Sequence, residues 1–158
     1  MSKIHFIIFA LLYPFLAIPA ASAELTIPLE HEPTGHISVV LSLNGLTARL
    51  LVDTGANMST LDKELGQRFQ DSDRVEPDAF EGSFAYVDLS VSLNDVVIGV
   101  EEFAVLDLSF INVGTKRSGA DPFDGQLGAT FFRALNATID FENMEMRLQL
   151  PNGSSGAK

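Results

Sequence analysis

One acidic residue stands where an apolar strand of the chain must stop. The run Leu50-Leu51-Val52 predicts a buried strand, and Asp53-Thr54-Gly55-Ala56 follows it at once. Burial raises the pKa of a carboxyl group, whereas backbone N–H donors and nearby cations lower it. A strand end can therefore hold an acid in the protonation state that acid or base catalysis needs. The spacing leaves a second interpretation open, in which Asp53 only caps the turn with its side chain.

A second segment that could take part in chemistry is Asp124-Gly125-Gln126-Leu127-Gly128, which precedes a predicted helix. A turn is the favoured role for Asp124, as it is for Asp121, over that of a second catalytic acid. A pair of carboxylates within one chain, as in a glycosidase, would require another acid at a set distance from Asp53, which sequence does not specify.

Metal ligands are sparse in this sequence. His31 and His36 lie five residues apart, beside Glu30 and Glu32, and beyond residue 23 the sequence has no other His and no Cys. Because a metal site commonly needs three or four protein ligands, we expect these residues to be exposed and polar. No metal and no other cofactor is therefore expected. The pair Lys116-Arg117 favours a solvated loop, with the rim of a substrate groove as the alternative.

The elements that must position these residues are mostly short strands. Alternation of apolar and polar residues predicts strands at 25–29, 36–43, 47–52, 58–61, 84–93, 96–108, 137–141 and 146–150. Helices are predicted at 62–69, with Ser59 or Thr60 as the cap, and at 129–135. A mobile loop is expected at 70–82 and an irregular connection at 109–122. This pattern indicates a mostly antiparallel β domain.

Two hairpins share a short repeat. Ser42-Leu43-Asn44-Gly45 precedes a strand that ends at Val52-Asp53, and Ser92-Leu93-Asn94-Asp95 precedes one that ends at Leu106-Asp107. Asn-Gly is a strong hairpin signal because both residues tolerate positive φ angles. The repeat is short enough to arise by chance. If it is genuine, the domain consists of two similar hairpins around an internal pseudo-twofold axis.

The first 23 residues have the pattern of an export signal. Lys3 gives a short positive region, residues 4–12 are apolar, and Ala21-Ser22-Ala23 has the small-x-small form that signal peptidase cleaves. Cleavage after Ala23 leaves 135 residues (158 − 23), with one domain at 24–150 and a disordered tail at 151–158. An uncleaved anchor is the alternative, but the apolar run is short for a span of about 20 residues.

Charge and cysteine content exclude several classes of function. The formal net charge is −11, and removing Lys3 with the signal makes it −12. Nucleic acids and anionic membranes require clustered cations, so neither is expected as a partner. The absence of cysteine excludes disulfides and thiol catalysis. We expect a bacterial periplasmic or secreted domain with no stable membrane anchor, stabilised by its core or by a partner subunit.

The chain resembles the retropepsin-like aspartic proteases, the single-lobe family that includes retroviral proteases. The resemblance rests on Asp53-Thr54-Gly55-Ala56, on the segment 124–128 before a short helix, and on the duplicated hairpin. It covers most of the chain from about residue 37 to residue 150. It implies a closed antiparallel barrel of the acid-protease type with two short helices.

The resemblance also implies an aspartic endopeptidase with Asp53, Thr54 and Gly55 as its catalytic residues. Two carboxylates that share a proton provide one acid and one base, because neighbouring like charges resist joint ionisation. The chain has one Asp-Thr-Gly, so the second carboxylate would come from another copy in a twofold homodimer. In the family, the residue matching Thr54 ties the two loops together. Gly55 lets the loops approach closely.

The substrate of such an enzyme is a peptide or protein. The family's flap, which closes over the substrate, corresponds to about residues 74–84. The residues implied to bind substrate are Ala56, Gly82, Ser83, Leu127 and Gly128.

Two departures from the family pattern keep another function open. Gln126 stands where the family has an apolar residue, and a polar group beneath the loop needs a partner. The flap segment has only Gly82 as an obvious hinge. The alternative is a non-catalytic module of the same fold that binds a peptide or protein in its groove.

Overall fold

The structure, a computed structural model, describes residues 23–69 and 85–150, and short strands dominate both parts. The strands are β1 (Glu24–Pro28), β2 (Glu30–His31), β3 (Ile37–Leu43), β4 (Leu46–Val52), β5 (Ser59–Asp62), β6 (Ala85–Leu93), β7 (Val96–Leu106), β8 (Gly125–Leu127), β9 (Thr138–Asp140) and β10 (Glu145–Gln149). The α-helices are α1 (Lys63–Gly66), α2 (Ser109–Arg117) and α3 (Ala129–Ala134), and a 3₁₀ turn at Gln67–Phe69 follows α1.

Six strands close into a barrel in the order β3-β4-β8-β5-β7-β6, with β6 pairing back onto β3. Neighbouring strands are antiparallel except for β4 with β8 and β5 with β7, which are parallel. Strand β2 extends the sheet beside β3. The predicted mostly β closed barrel is therefore confirmed. Closure removes the unpaired edges that an open sheet of six strands would expose.

A smaller antiparallel sheet joins the two ends of the domain in the order β1-β10-β9. Leu25 pairs with Leu148 and Ile27 pairs with Met146. Ile27, Met146 and Leu148 are fully buried in the same core cluster as the barrel residues. The first and last described strands therefore stabilise the barrel by burying apolar side chains against it.

The two predicted hairpins have the same type of turn. Asn44 and Gly45 have φ angles of 45° and 85°, and Asn94 and Asp95 have φ angles of 47° and 67°. Ser42 pairs directly with Ser92 where β3 meets β6, so the repeated segments lie side by side. This pairing closes the barrel and agrees with the internal repeat seen in the sequence.

The prediction of an irregular connection at 109–122 is wrong, because Ser109–Arg117 forms α2 and the domain has a third helix. Gly114 and Thr115 are weak helix formers, so local propensity gave little indication of it. The helix is fixed instead by a distant contact. The Asn112 amide donates to the Phe123 carbonyl at 3.0 Å, and its carbonyl accepts from the Phe123 N–H at 2.8 Å.

The predicted cap of the first helix is also wrong. Asp62 caps α1, since its Oδ1 accepts from the Glu64 N–H at 3.1 Å, whereas Ser59 and Thr60 belong to β5. Both oxygens of this carboxylate are used, because Oδ2 accepts from the Leu108 N–H at 3.0 Å. Asp62 therefore joins the end of β5 to the residues that follow β7.

Three predicted segments lie outside the described residues. They are the export signal apart from Ala23, the loop at 70–82 and the tail at 151–158. In the part of the chain that is described, no helix is long and apolar enough to span a membrane.

Candidate active site

Asp53 lies where β4 ends beside β8. Val52 pairs with Leu127 in the parallel ladder, and the Asp53 N–H donates to the Leu127 carbonyl at 3.1 Å. Strand β8 is held on its other side by β5, through pairs such as Thr60 with Gln126. The loop that bears Asp53 is therefore anchored to the barrel at its first residue.

The Asp53 carboxylate is half-buried and has a fixed backbone donor. Its Oδ1 accepts from the Gly55 N–H at 2.9 Å, and a Cβ on Gly55 would lie 3.2 Å from that oxygen. Thr54 and Gly55 are exposed at the tip of the loop. An ionised carboxylate has about four acceptor positions, so one backbone donor leaves room for a water or a second acid.

The remainder of the loop is held by the start of α3. The Ala56 carbonyl accepts from the Ala129 N–H at 2.8 Å, and the Asn57 carbonyl accepts from the Thr130 N–H at 3.2 Å. These N–H groups belong to the first turn of a helix, where donors lack partners within the helix. The segment from Asp53 to Asn57 is thus fixed at both ends.

Leu127 and Gly128 lie beneath this loop. Leu127 is fully buried in the core, and a Cβ on Gly128 would lie 2.3 Å from the Met58 carbonyl carbon. Only glycine fits that position without a shift of backbone. Both residues support the loop from below, and the substrate contacts that the resemblance implies for them stay a prediction.

A carboxylate that the sequence did not identify joins three elements under the loop. Glu101 Oε1 on β7 accepts from the Ser59 hydroxyl and from the Thr130 hydroxyl, each at 2.8 Å. Ser59 Oγ in turn accepts from the Gly128 N–H at 3.1 Å. The partners lie 42 and 29 residues from Glu101 in sequence, so no local pattern could have indicated the contact.

Asp124 and Asp121 are not brought to Asp53. Asp124 Oδ2 accepts from the Arg49 N–H at 2.8 Å, and the Asp121 carbonyl accepts from the Arg49 guanidinium. Arg49 precedes Asp53 by four residues, so Asp124 lies about 13 Å away along β4 at about 3.3 Å per residue. The structure thus agrees with the expectation that Asp124 is not a second catalytic acid, although its carboxylate binds the backbone of β4 and not a local turn.

The expectation of an exposed polar residue is wrong for Glu32. This residue is 3% exposed, and its carboxylate accepts from the Ser38 hydroxyl and forms an ion pair with Arg49. Arg49 also lies over the Phe123 ring, 4.9 Å from its centroid. A buried carboxylate is tolerated here because a cation from β4 and a hydroxyl from β3 both bind it.

The histidines remain exposed, as expected. His31 is exposed, and His36, also exposed, has its Nδ1 2.7 Å from the Thr34 hydroxyl. Among residues 23–69 and 85–150, no group of His, Asp or Glu is arranged to hold a metal ion.

Asp107, which matches Asp53 in the hairpin repeat, has different surroundings. Its Oδ1 accepts from the Ser109 N–H at 2.9 Å, as Asp53 accepts from Gly55, but its Oδ2 also binds the Lys63 ammonium at 2.6 Å. Those contacts lower the pKa of Asp107 and raise the pKa of Lys63. Both side chains border a polar cavity of about 150 Å³ at the end of β5 that lies away from the Asp53 loop.

The structure therefore gathers six of the eight predicted site residues at one loop. They are Asp53, Thr54, Gly55, Ala56, Leu127 and Gly128. Gly82 and Ser83, with the flap segment at 74–84, lie outside the described residues.

Comparison with known proteins identifies the fold that carries this loop. No family model matches the chain, and no curated protein matches it. A retropepsin-like aspartic protease from Rickettsia conorii has a similar structure, with a TM-score of 0.54 and 19% identity, over 82% of this chain and 94% of that chain. The chain has the retropepsin-like fold. The retroviral protease-like domain of Ddi1 from Leishmania major also matches, with a TM-score of 0.48 and 17% identity, over 75% of this chain and 92% of that chain.

In the retropepsin-like fold of this chain, the Asp53 loop and the glycine-containing strand β8 are direct neighbours. The two sequence segments that carried the resemblance, 53–56 and 124–128, thus belong to one structural unit. Their glycines are explained by close packing, since a Cβ on Gly125 would lie 2.4 Å from the Thr60 carbonyl oxygen.

Proposed function

We propose that this protein is an aspartic endopeptidase that works as a homodimer, with Asp53 of each subunit at the shared site. The observation that carries the proposal is the half-buried Asp53 carboxylate, bound by the Gly55 N–H on an exposed loop of a retropepsin-like fold. The barrel holds the loop from below, and the Thr54-Gly55 tip faces outward, where a second copy can approach it. A single chain has one such loop, so the pair of acids needs two chains.

The proposed reaction divides acid and base work between the two carboxylates. The ionised Asp53 takes a proton from a water, whose oxygen bonds to the peptide carbonyl carbon, while the protonated Asp53 donates to the carbonyl oxygen. The Asp53 that took the water proton then passes it to the nitrogen as the C–N bond breaks, and the other Asp53 takes a proton back from a hydroxyl of the intermediate, so the carbonyl re-forms and the amine leaves. One proton must be shared by the pair, so activity should be highest at acidic to near-neutral pH.

The other residues have supporting roles in the proposed mechanism. Thr54 ties the two loops together across the dimer axis, and Gly55 allows their close approach. Ala56 borders the substrate groove, and the buried Leu127 and Gly128 shape it indirectly by supporting the Asp53 loop. Gly82 and Ser83, which lie outside the described residues, stay substrate contacts implied by the resemblance.

The test is cleavage of a diverse peptide pool by the purified protein between pH 3 and 7. Asp53→Asn should abolish cleavage and leave the melting temperature nearly unchanged, and a statine-type inhibitor should block the native protein. Asp95→Asn makes the same change in an exposed hairpin turn and should keep full activity. Full cleavage by pure Asp53→Asn would refute the mechanism.

A non-catalytic peptide-binding module is the second candidate function. It is favoured by Gln126, a polar residue next to the buried Leu51 on the parallel ladder that leads to Asp53. No inhibitor-sensitive product from the pool at any pH, together with saturable peptide binding, would decide for this module.

Export is also proposed, from residues 1–23. The secreted or periplasmic protein should begin at Glu24, which N-terminal mass spectrometry of a cell fraction would detect. Protein that keeps its first residues in that fraction would contradict cleavage.

A further inference from the structure

The face of the barrel that bears Asp53 is distinct from the core face. Along β4, Leu50 is fully buried in the core cluster, whereas Leu51 is 6% exposed but lies outside that cluster. Side chains alternate along a strand, so Asp53 projects to the same side as Leu51. Leu51 thus lies on the face of the sheet from which Asp53 projects.

Two polar side chains lie on the same face of the neighbouring strands. Leu51 pairs with Gln126 on β8, and Gln126 pairs with Thr60 on β5. Register partners project to the same face of a sheet, and Leu61, next to Thr60, is buried in the core on the other face. We call Gln126 and Thr60 the polar floor. It lies two residues, or about 7 Å, from the level of Asp53 along the strand direction, with Gln126 about 5 Å and Thr60 about 10 Å from β4 across the sheet.

The polar floor contains an unused hydrogen-bonding group. Thr60 is 3% exposed. In the described part of the chain, its Oγ1 is the one buried side-chain nitrogen or oxygen atom without a hydrogen-bond partner. A buried hydroxyl without a partner is unfavourable, and native proteins seldom keep one without a reason. Half-buried Gln126, directly opposite, offers two donors and one acceptor.

We infer that the polar floor selects a substrate with a neutral, hydrogen-bonding side chain, such as a carboxamide or hydroxyl, beside the scissile bond. This rests on the proposed function, because it needs a peptide lying across Asp53. A carboxamide both donates and accepts, so it can bind the Thr60 hydroxyl and the Gln126 amide together. A large apolar side chain would bury the half-exposed Gln126 amide without a partner and would leave the Thr60 hydroxyl unpaired, so it should bind less well than a polar side chain.

Matched peptide pairs test this specificity. Peptides differing only in Asn or Leu, and in Thr or Val, at the positions flanking the cleaved bond are compared by kcat/KM. We expect the polar member to be favoured at least about ten-fold, since a site built to hydrogen-bond rejects the analogue without that group. The double variant Thr60→Val, Gln126→Leu should reverse the order within each pair.

The controls separate a folding defect from a change of specificity. Thr60→Val keeps the shape and removes the unpaired hydroxyl, so its melting temperature should be unchanged or higher. Thr47→Val makes the same change at an exposed position at the start of β4 and should leave the preference as it is.

Binding of the same peptides to Asp53→Asn separates this inference from the proposed function. Cleavage without preference for the polar members would refute the inference and leave the endopeptidase standing. No cleavage, with at least about ten-fold tighter calorimetric binding of the Asn peptide, would refute the endopeptidase and support the polar floor. Neither cleavage nor selective binding would refute both.

Discussion

At the residue scale, the glycines of the site are required by packing rather than by unusual backbone angles. A Cβ on Gly128 would lie 2.3 Å from both the carbonyl carbon and the oxygen of Met58, and one on Gly125 would lie 2.4 Å from the Thr60 oxygen. Neither glycine has a positive φ. The backbones of β8 and β5 can therefore approach each other only while these positions carry no side chain.

We predict that Gly128→Ala destabilises the domain by at least about 2 kcal/mol, because the methyl group must displace backbone rather than a side chain. Chemical denaturation measures this loss. Gly99→Ala is the matched control, since a Cβ there meets nothing within 4 Å, and it should change stability by less than about 0.5 kcal/mol. Equal stability of the two variants would show that the Met58 backbone can move aside.

At the element scale, the Asp53 loop depends on strands and a helix that meet only in the folded chain. Glu101 on β7 links Ser59 on β5 with Thr130 on α3, and Ser59 holds the Gly128 N–H. The same α3 turn binds the carbonyls of Ala56 and Asn57. Strand β7 therefore influences the loop through two hydroxyl groups.

Glu101→Ala should lower the free energy of unfolding by about 2 kcal/mol, as expected when hydrogen bonds to a charged group are removed. The measurement is urea denaturation. Glu102→Ala, an exposed change on the next residue, should have an effect within about 0.5 kcal/mol, because Glu102 pairs with the like-charged Asp88. A loss in Glu102→Ala as large as in Glu101→Ala would contradict this assignment.

The junction of α1 with the end of β7 should make stability depend on pH. The Lys63 ammonium and the Ser109 N–H lower the pKa of Asp107 below its ordinary 3.8, so the unfolded chain binds more protons as the pH falls. The contribution of Asp107 is present above about pH 4 and is lost as the pH falls towards its folded pKa. The raised pKa of Lys63 keeps its own contribution complete below 10.5.

We predict that Asp107→Asn is less stable than the native protein at pH 6 and that the difference shrinks steadily below pH 4. Thermal unfolding at a series of pH values measures the difference. Asp95→Asn, in an exposed turn, serves as the control for the loss of one negative charge. A difference that stays constant from pH 6 to pH 2 would rule out the Lys63 pairing as its source.

At the scale of the whole molecule, one closed barrel supplies one Asp53 loop. The barrel and the sheet of β1, β10 and β9 share one core, so the loop is presented by a single domain of the described chain. The exposed tip at Thr54 and Gly55 is the part of the site that a second copy would cover. Activity should accordingly depend on association.

Mixing experiments test this dependence directly. Native protein and Asp53→Asn are mixed in equal amounts and allowed to exchange subunits. If both carboxylates are required, the mixture should have about one quarter of the activity of the same total amount of native protein alone, because random pairing makes one dimer in four fully native. Independent monomers would keep about one half. Sedimentation equilibrium should show a dimer under the same conditions.

Local patterns in the sequence determined much of this protein. Period-two alternation gave most of the strands, Asn44-Gly45 and Asn94-Asp95 gave both hairpin turns, and Asp53 was placed correctly at the end of β4. These features are set by residues near each other in the chain, through backbone preferences and alternating burial. The retropepsin-like fold could be recognised from the motifs at 53–56 and 124–128 together with the duplicated hairpin.

Contacts between distant residues decided the remainder. Helix α2 depends on Asn112 binding Phe123, the burial of Glu32 depends on Arg49 of β4, and the role of Glu101 depends on hydroxyls brought from β5 and α3. A polar side chain in sequence does not reveal which partner folding will bring to it, because burial and its compensation are properties of the closed barrel. The sequence thus identified the acid at the end of β4, and the tertiary structure decided what surrounds it.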